Sequence, residues 1–256
     1  MQPADPDIGM RQIYFLSYLP GQVTPVLGYV QQALEQQREN FTDEQFAIAE
    51  SLVERQLKSE VLEAAILQRL ADQPHREYLD ESIAWLNLPT VRKFMALQAT
   101  AWSPRGQQEM RAHIEQELAN PPSEQRLELI ERYDQATHSS SVMAETMLLA
   151  AYGVAVIHDS LKPPDERLGA SGLQDAIGPQ RAVLKPIFKE TSNLAHRFAF
   201  SQASDDEIES MVLFAESDAG QWFFSTISSN YLNALLEATA NLGDLFRAAY
   251  PESPTS

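Results

Sequence analysis

The chain has 256 residues, 44% of them hydrophobic, so it can bury one large core or two fused half-domains and falls outside the disordered class. Acidic residues number 36 against 19 basic ones, and the resulting net charge of −17 repels phosphate backbones and anionic headgroups, which argues against nucleic acid as a partner. The absence of cysteine excludes disulfides, thiolate metal sites and a cysteine nucleophile.

Few β-branched runs, abundant Ala, Leu, Gln and Glu, and only 10 Gly predict an all-α fold. The start, MQPADPDIG, has neither a basic region nor an apolar core, so it is no signal peptide. It suits a start placed where a leader was removed. Met10 to Tyr18 is predicted helical, up to a turn at Pro20-Gly21. Pro25 opens a helix into Gln31–Gln37. Thr42-Asp43-Glu44-Gln45 is a capping box, and one helix is predicted from there to about Leu70. Ala64, Ile66, Leu67 and Leu70 lie on or near one face of it.

Pro74 is placed at a first helical position, opening HREYLDESIAWL. Asn87-Leu88-Pro89 interrupts this segment, because proline disfavours helical geometry in the residue before it. A helix then runs from Pro89 to about Trp102. Ser103-Pro104 supplies an N-cap and an N1 proline for the next, with Met110, Ile114 and Leu118 on one face. Asn120-Pro121-Pro122 stops it. Ser123 caps a helix that turns Leu127, Ile130 and Tyr133 inward.

Ser139-Ser140-Ser141 leads into the most apolar helix, Val142 to Leu161, which is expected at the centre. No run of about 18 uninterrupted apolar residues exists, and Val142–Ile157 carries Glu145 and Thr146, so no membrane span is expected. KPPDERLGASGLQDAIGP is the main punctuation of the chain. It divides an N-terminal helical half (1–161) from a loop (162–178) and a C-terminal helical region (179–250) that packs on the first half. Pro179 begins a helix kinked near Pro186 and ending at about Phe200. The total is about ten helices, with no strand.

The stretch Ser204–Phe246 is read as two helices joined by a tight break. Ser204-Asp205-Asp206-Glu207 is a capping box, Ser217 a second N-cap, and Gly220 a position without Cβ where a neighbouring helix can come close. On a helical wheel Phe223, Phe224, Ile227, Tyr231, Ala234, Leu235, Ala238, Leu242, Leu245 and Phe246 share one arc. Trp222, Leu232 and Leu236 fall outside it, so either a second helix covers them or they form an apolar contact surface. Shifted by 129 positions, Trp85–Phe94 echoes Phe214–Phe223, which suggests two related helical repeats.

Phe214-x-x-Ser217-x-x-Gly220-Gln221, after the Ser204 helix start, resembles the hallmark of the family called domain of unknown function 2059. Its break usually reads F-Y-x-S-P-x-G-x, and Ala215 and Asp218 stand here for the usual aromatic and proline. Leu127–Thr137, followed by an apolar helix, resembles members with a degenerate first copy. The resemblance implies an exported, helical protein in the periplasm or secreted from a Gram-negative cell. It brings no activity, cofactor or catalytic residue.

Motifs for chemistry are sparse. Glu109, His113 and Glu117 share one helix face and offer a weak metal site, but the outer two lie about 12 Å apart along the axis, and a solvated face explains them better. His158-Asp159 are adjacent and so do not face each other on a helix. His75, His138 and His196 are isolated in sequence. Gly169-Ala-Ser-Gly172 follows no strand, so it is a poor nucleotide loop. No nucleophile-elbow, P-loop or zincin motif occurs, and no cofactor is implied.

Three functions fit this reading. The first is a non-enzymatic envelope protein that binds a protein or peptide partner through Trp222, Leu232 and Leu236. The second is a carrier of an apolar small molecule between the repeats, lined by Trp85, Phe94, Trp102, Phe223 and Tyr231. The third is a hydrolase or metal enzyme with a convergent site.

Overall fold

The computed structural model describes residues 6–101 and 103–250, apart from the side chains of Pro6, Asp7 and Pro104. Among these the fold is all-α, without strands. The helices are α1 (Pro6–Leu16), α2 (Leu19–Val23), α3 (Val26–Gln36), α4 (Asp43–Gln56), α5 (Ser59–Ala71), α6 (Leu79–Leu86) and α7 (Pro89–Ala101). They continue with α8 (Pro104–Ala119), α9 (Glu124–Thr137), α10 (Ser139–Ser160), α11 (Gly169–Ile177), α12 (Gln180–Ala199), α13 (Asp205–Glu216) and α14 (Asp218–Ala249). The count exceeds the expected ten because the turn expected at Pro20-Gly21 lies inside a short helix, α2, because one predicted helix is two, and because a predicted loop contains α11.

A helix predicted as continuous from Thr42 to Leu70 is two. Leu57 is fully buried and leaves helical geometry, Lys58 is extended (φ −54°, ψ 140°), and α4 and α5 then both lie against α14. Pro74 does not open a helix. The guanidinium of Arg76 donates to the carbonyl oxygens of Gln73 and Ala71, tying down the end of α5, and α6 starts only at Leu79. The span 162–178, expected to be loop, contains α11. Its first amide groups are held by Asp159, whose carboxylate accepts from Gly169 N at 2.9 Å and Leu168 N at 3.2 Å, while Leu173 and Ile177 turn into the core.

α10 is the axis of the molecule. It lies against α14, α12, α3 and α11, and residues all round it are buried, including Leu148, Tyr152, Val154 and Ile157. It is long and apolar enough by length and composition to cross a bilayer, and 61% of its most apolar window is buried within the fold. Its main neighbour, α14, has 32 residues and spans about 48 Å at 1.5 Å per residue. Two glycines bring the pair close. A Cβ on Gly153 would meet Thr239 at 3.1 Å, and one on Gly243 would meet Val156 at 2.6 Å.

The wide apolar arc of α14 serves two sets of neighbours. One side faces α10, the other α4, α5 and α6. Trp222, Leu232 and Leu236 are accordingly half-buried and packed against the common core. The Trp222 indole donates to the carbonyl oxygen of His75 at 3.2 Å, and Glu237 on the same helix pairs with Arg69 of α5.

The break between α13 and α14 has the expected caps. Ser204 Oγ accepts from Glu207 N at 3.2 Å while the Glu207 carboxylate accepts from Ser204 N at 2.8 Å. Ser217 is extended (φ −74°, ψ 162°) and its Oγ accepts from Gly220 N at 3.1 Å. Gly220 makes the close approach, but to the end of α13: a Cβ there would lie 1.9 Å from the Phe214 carbonyl oxygen.

This geometry is repeated at Ser103, not at Pro89. Ser103 has φ −73° and ψ 156°, its Oγ accepts from Gly106 N at 3.0 Å, and a Cβ on Gly106 would lie 2.1 Å from the Thr100 carbonyl oxygen. Each serine hydroxyl also donates back to the preceding helix, to Thr100 O or Phe214 O, at 2.7 Å in both cases. The sequences align as Ser103-x-x-Gly106-Gln107 and Ser217-x-x-Gly220-Gln221. By contrast Leu88, which precedes Pro89, has no side-chain oxygen to accept from an amide of α7. Trp85 stacks on Phe214, with ring centroids 3.8 Å apart.

Candidate functional site

The metal row on α8 does not close on one ion. Glu109 accepts from Arg105 at 2.7 Å, Glu117 pairs with Arg197 of α12, and His113 Nε2 lies 3.2 Å from Glu117 Oε1. Two of the three candidate ligands are thus already neutralised by arginines. No group of three His, Asp or Glu residues placed to hold a metal occurs among the described residues.

His158 and Asp159 do not act on each other either. The Asp159 carboxylate is committed to α11 and to Lys162 at 3.0 Å. Burial raises its pKa, but the hydrogen bonds from Gly169 and Lys162 outweigh this and leave it below the usual carboxylate range. It also occupies the helix start after Gly169, where a phosphate would otherwise sit.

The sequence did not signal the main polar cluster of the interior. His138 takes the left-handed conformation (φ 55°, ψ 23°) and makes a sharp corner between α9 and α10. The corner swings Asp134, in the last turn of α9, over the start of α10, where its carboxylate accepts from Ser140 N at 3.1 Å and Ser140 Oγ at 2.7 Å. Ser192 Oγ of α12 donates to the same carboxylate at 2.6 Å. A buried carboxylate with three donors at a helix N-terminus needs no cation beside it.

His196 sits one turn beyond Ser192, with Nδ1 4.0 Å from Asp134 Oδ1 and its ring stacked on Phe200 and edge-on to Tyr133. Burial pushes its pKa down to about 4, against the opposing pull of Asp134, so the imidazole is neutral near pH 7. The residue types are those of a hydrolytic triad, but the order is not. Both serine hydroxyls donate to the carboxylate rather than to the imidazole, so His196 is not set to take a proton from either.

This cluster backs onto two adjoining spaces. The inner one is a small chamber of about 20 Å³ with mixed walls, Tyr18, Gln98, Ser139, Ser192 and His196 beside Ala101, Met143 and Ala195. The outer one is an apolar cleft of about 180 Å³ between α3, α10, α12 and α14, lined by Pro25, Tyr29, Met143, Met147, Phe188 and Tyr231. Gln22 and Met143 line both. Polar groups at the cleft are few: Thr191 at the wall, and Thr146 Oγ1, which donates to Tyr231 OH at 3.2 Å. Phe188 and Thr191 belong to the part of α12 that precedes its first buried residue, Ser192, and that is held by the ion pairs Arg181–Glu145 and Lys189–Glu131.

Of the aromatic residues expected around a ligand, Tyr231 lines the cleft. Trp85, Phe94 and Phe223 fill the core instead, Trp85 and Phe223 edge-on at 6.0 Å and Phe94 edge-on to Phe200 at 5.2 Å. Trp102 lies outside the described residues. The i, i+4 spacing of Ser192 and His196 is the local signal the sequence carries for this cluster, whereas the contact of Ser192 with Asp134 spans 58 positions and has none.

No protein-family model matches the chain, and neither the curated proteins nor the solved structures contain a match to it.

Proposed function

We propose that this chain is a non-enzymatic binding protein whose outer cleft takes an apolar, ring-sized group of a small molecule. The observation that carries this reading is the cleft itself. Its volume of about 180 Å³ is close to that of a cavity that holds benzene, about 150 Å³, and its walls are methionine, proline and aromatic side chains. Two methionines give a deformable lining that fits several shapes. The cleft beside His158 (about 290 Å³) is walled by Ala, Gln, Val and His without an aromatic or methionine anchor, and the one beside Tyr250 (about 280 Å³) sets Leu161, Pro164, Phe246 and Tyr250 against Arg167, Arg247, Gln45 and Ser160, a more polar wall.

A partner-binding surface built on Trp222, Leu232 and Leu236 has less support, because all three are packed against α14's neighbours and the Trp222 indole is engaged. The Ser103 and Ser217 breaks support a duplication of the helix pair, now with a shift of 114 positions. They also support membership of the domain of unknown function 2059 family and the exported, periplasmic or secreted location that it implies. An acidic surface and the absence of a nucleic-acid motif fit that location equally well.

Saturation-transfer NMR with toluene tests the cleft. The wild-type protein transfers signal to the toluene ring, and Met147→Trp, which fills the cleft with an indole, abolishes the transfer while leaving the helical circular dichroism and the melting profile intact. Equal transfer to both proteins would overturn the reading.

A further inference from the structure

We infer that the small chamber behind the cleft receives the head of the same ligand, and that this head is uncharged and donates hydrogen bonds, as a hydroxyl or a primary amide does. The inference rests on the reading of the cleft as a ligand site. Gln22 and Met143 line both spaces, so a group attached to a ring in the cleft meets the chamber next. Two buried polar atoms on residues that line it lack a partner among the described residues: Gln98 Oε1, an acceptor, on a residue 8% exposed, and His196 Nδ1, which accepts or donates according to the imidazole tautomer, on a residue 5% exposed. The amide nitrogen of Gln98 makes only a long contact, 3.5 Å, to Tyr133 OH, so the side chain is free to turn its oxygen towards a donor.

Size and charge narrow the class. A space of about 20 Å³ holds one water or one terminal polar group of that size, no more. A carboxylate or phosphate finds no cation there. His196 is neutral, and no arginine or lysine is among the described residues lining the chamber or the cleft. An ammonium is disfavoured too, because the Asp134 carboxylate does not line the chamber and already accepts from Ser140 and Ser192. A charge would then be desolvated against neutral acceptors alone.

The test uses the full chain and one ring with five substituents: toluene, benzyl alcohol, benzamide, benzylamine and benzoate, titrated by NMR at pH 7. Toluene binding reports the cleft. Benzyl alcohol or benzamide is expected to bind about five-fold more tightly than toluene, the gain of one neutral hydrogen bond, with benzylamine and benzoate weaker than both. Gln98→Leu is expected to remove that gain and leave toluene binding unchanged. If toluene binds but the alcohol and amide gain nothing, or benzoate binds as well as benzamide, the head-group inference fails and the cleft stands. If neither toluene nor the four substituted rings bind, the cleft reading fails and the inference with it. A Gln98→Leu protein that keeps the full preference for benzamide also overturns the assignment of the acceptor.

Discussion

Acidification offers a measure of how firmly the interior holds His196. In the unfolded chain its imidazole titrates near 6.5, and in the folded protein near 4, so between these values the unfolded state binds a proton that the folded state does not. Stability contributed by the neutral, buried ring is therefore intact above pH 6.5 and is lost as the pH falls towards 4. A difference of about 2.5 pKa units at about 1.36 kcal/mol each amounts to about 3 kcal/mol, most of it gone by pH 4.5. Urea unfolding of the wild type and of His196→Gln at pH 7.5 and 4.5 isolates this contribution, because the other four histidines are common to both proteins. The wild type is expected to lose about 2 to 3 kcal/mol more than the variant over that interval. Near-ultraviolet circular dichroism at pH 7.5 confirms that the variant keeps its packing. Parallel pH dependence in the two proteins would refute the reasoning, and would mean that water or Asp134 solvates the imidazolium inside the fold.

Gly220→Ala and Gly106→Ala each drive a Cβ into a helix carbonyl and are expected to destabilise the fold by about 3 kcal/mol or more, read as a lowered thermal midpoint. Gly28→Ala, where a Cβ meets nothing within 4 Å in the first turn of α3, is the control and gains about 0.5 kcal/mol. Arg126 donates to the Asp205 carboxylate at 2.6 Å and to the carbonyl oxygens of Phe200 and Ala203 at 2.6 and 2.8 Å, clamping the start of α9 to the α12–α13 turn. Lysine cannot make that fork, so Arg126→Lys lowers the urea midpoint by the equivalent of about 2 kcal/mol. Asp159→Asn loosens the start of α11, raising amide exchange over 167–173. It also flattens the loss of stability on acidification, since a carboxyl held below its usual pKa gives stability that disappears as the pH falls through that value.

The caps at Thr42, Ser103, Ser123, Ser204 and Ser217 were legible because each is a local exchange between a hydroxyl and an amide three residues on. The splitting of α4 from α5 was not, since it depends on Leu57 being drawn into a core assembled from distant helices rather than on any glycine or proline. Pro74 misled for a related reason: Arg76 found better acceptors in the preceding helix end than a new helix would offer. α11 stood out only once Asp159 was seen to supply its cap from ten positions upstream. The wheel of α14 correctly showed more apolar surface than one neighbour needs, and α4, α5 and α6 account for the excess. The cleft was the least legible feature. Its residues come from α2, α3, α10, α12 and α14, and aromatic character alone singled out the rings that pack the core instead of the methionines that line the space.

The central claim, that an apolar group enters between Met143, Met147 and Tyr231, can be put to methyl NMR of the protein labelled at its seven methionines. Titration with toluene is expected to shift the Met143 and Met147 methyl signals together along one saturable curve, while those of Met10, Met95 and Met211, buried elsewhere in the core, stay in place. Signals from Met143 and Met147 that remain fixed at saturating toluene, or that move no further than those of Met10 and Met211, would contradict the account.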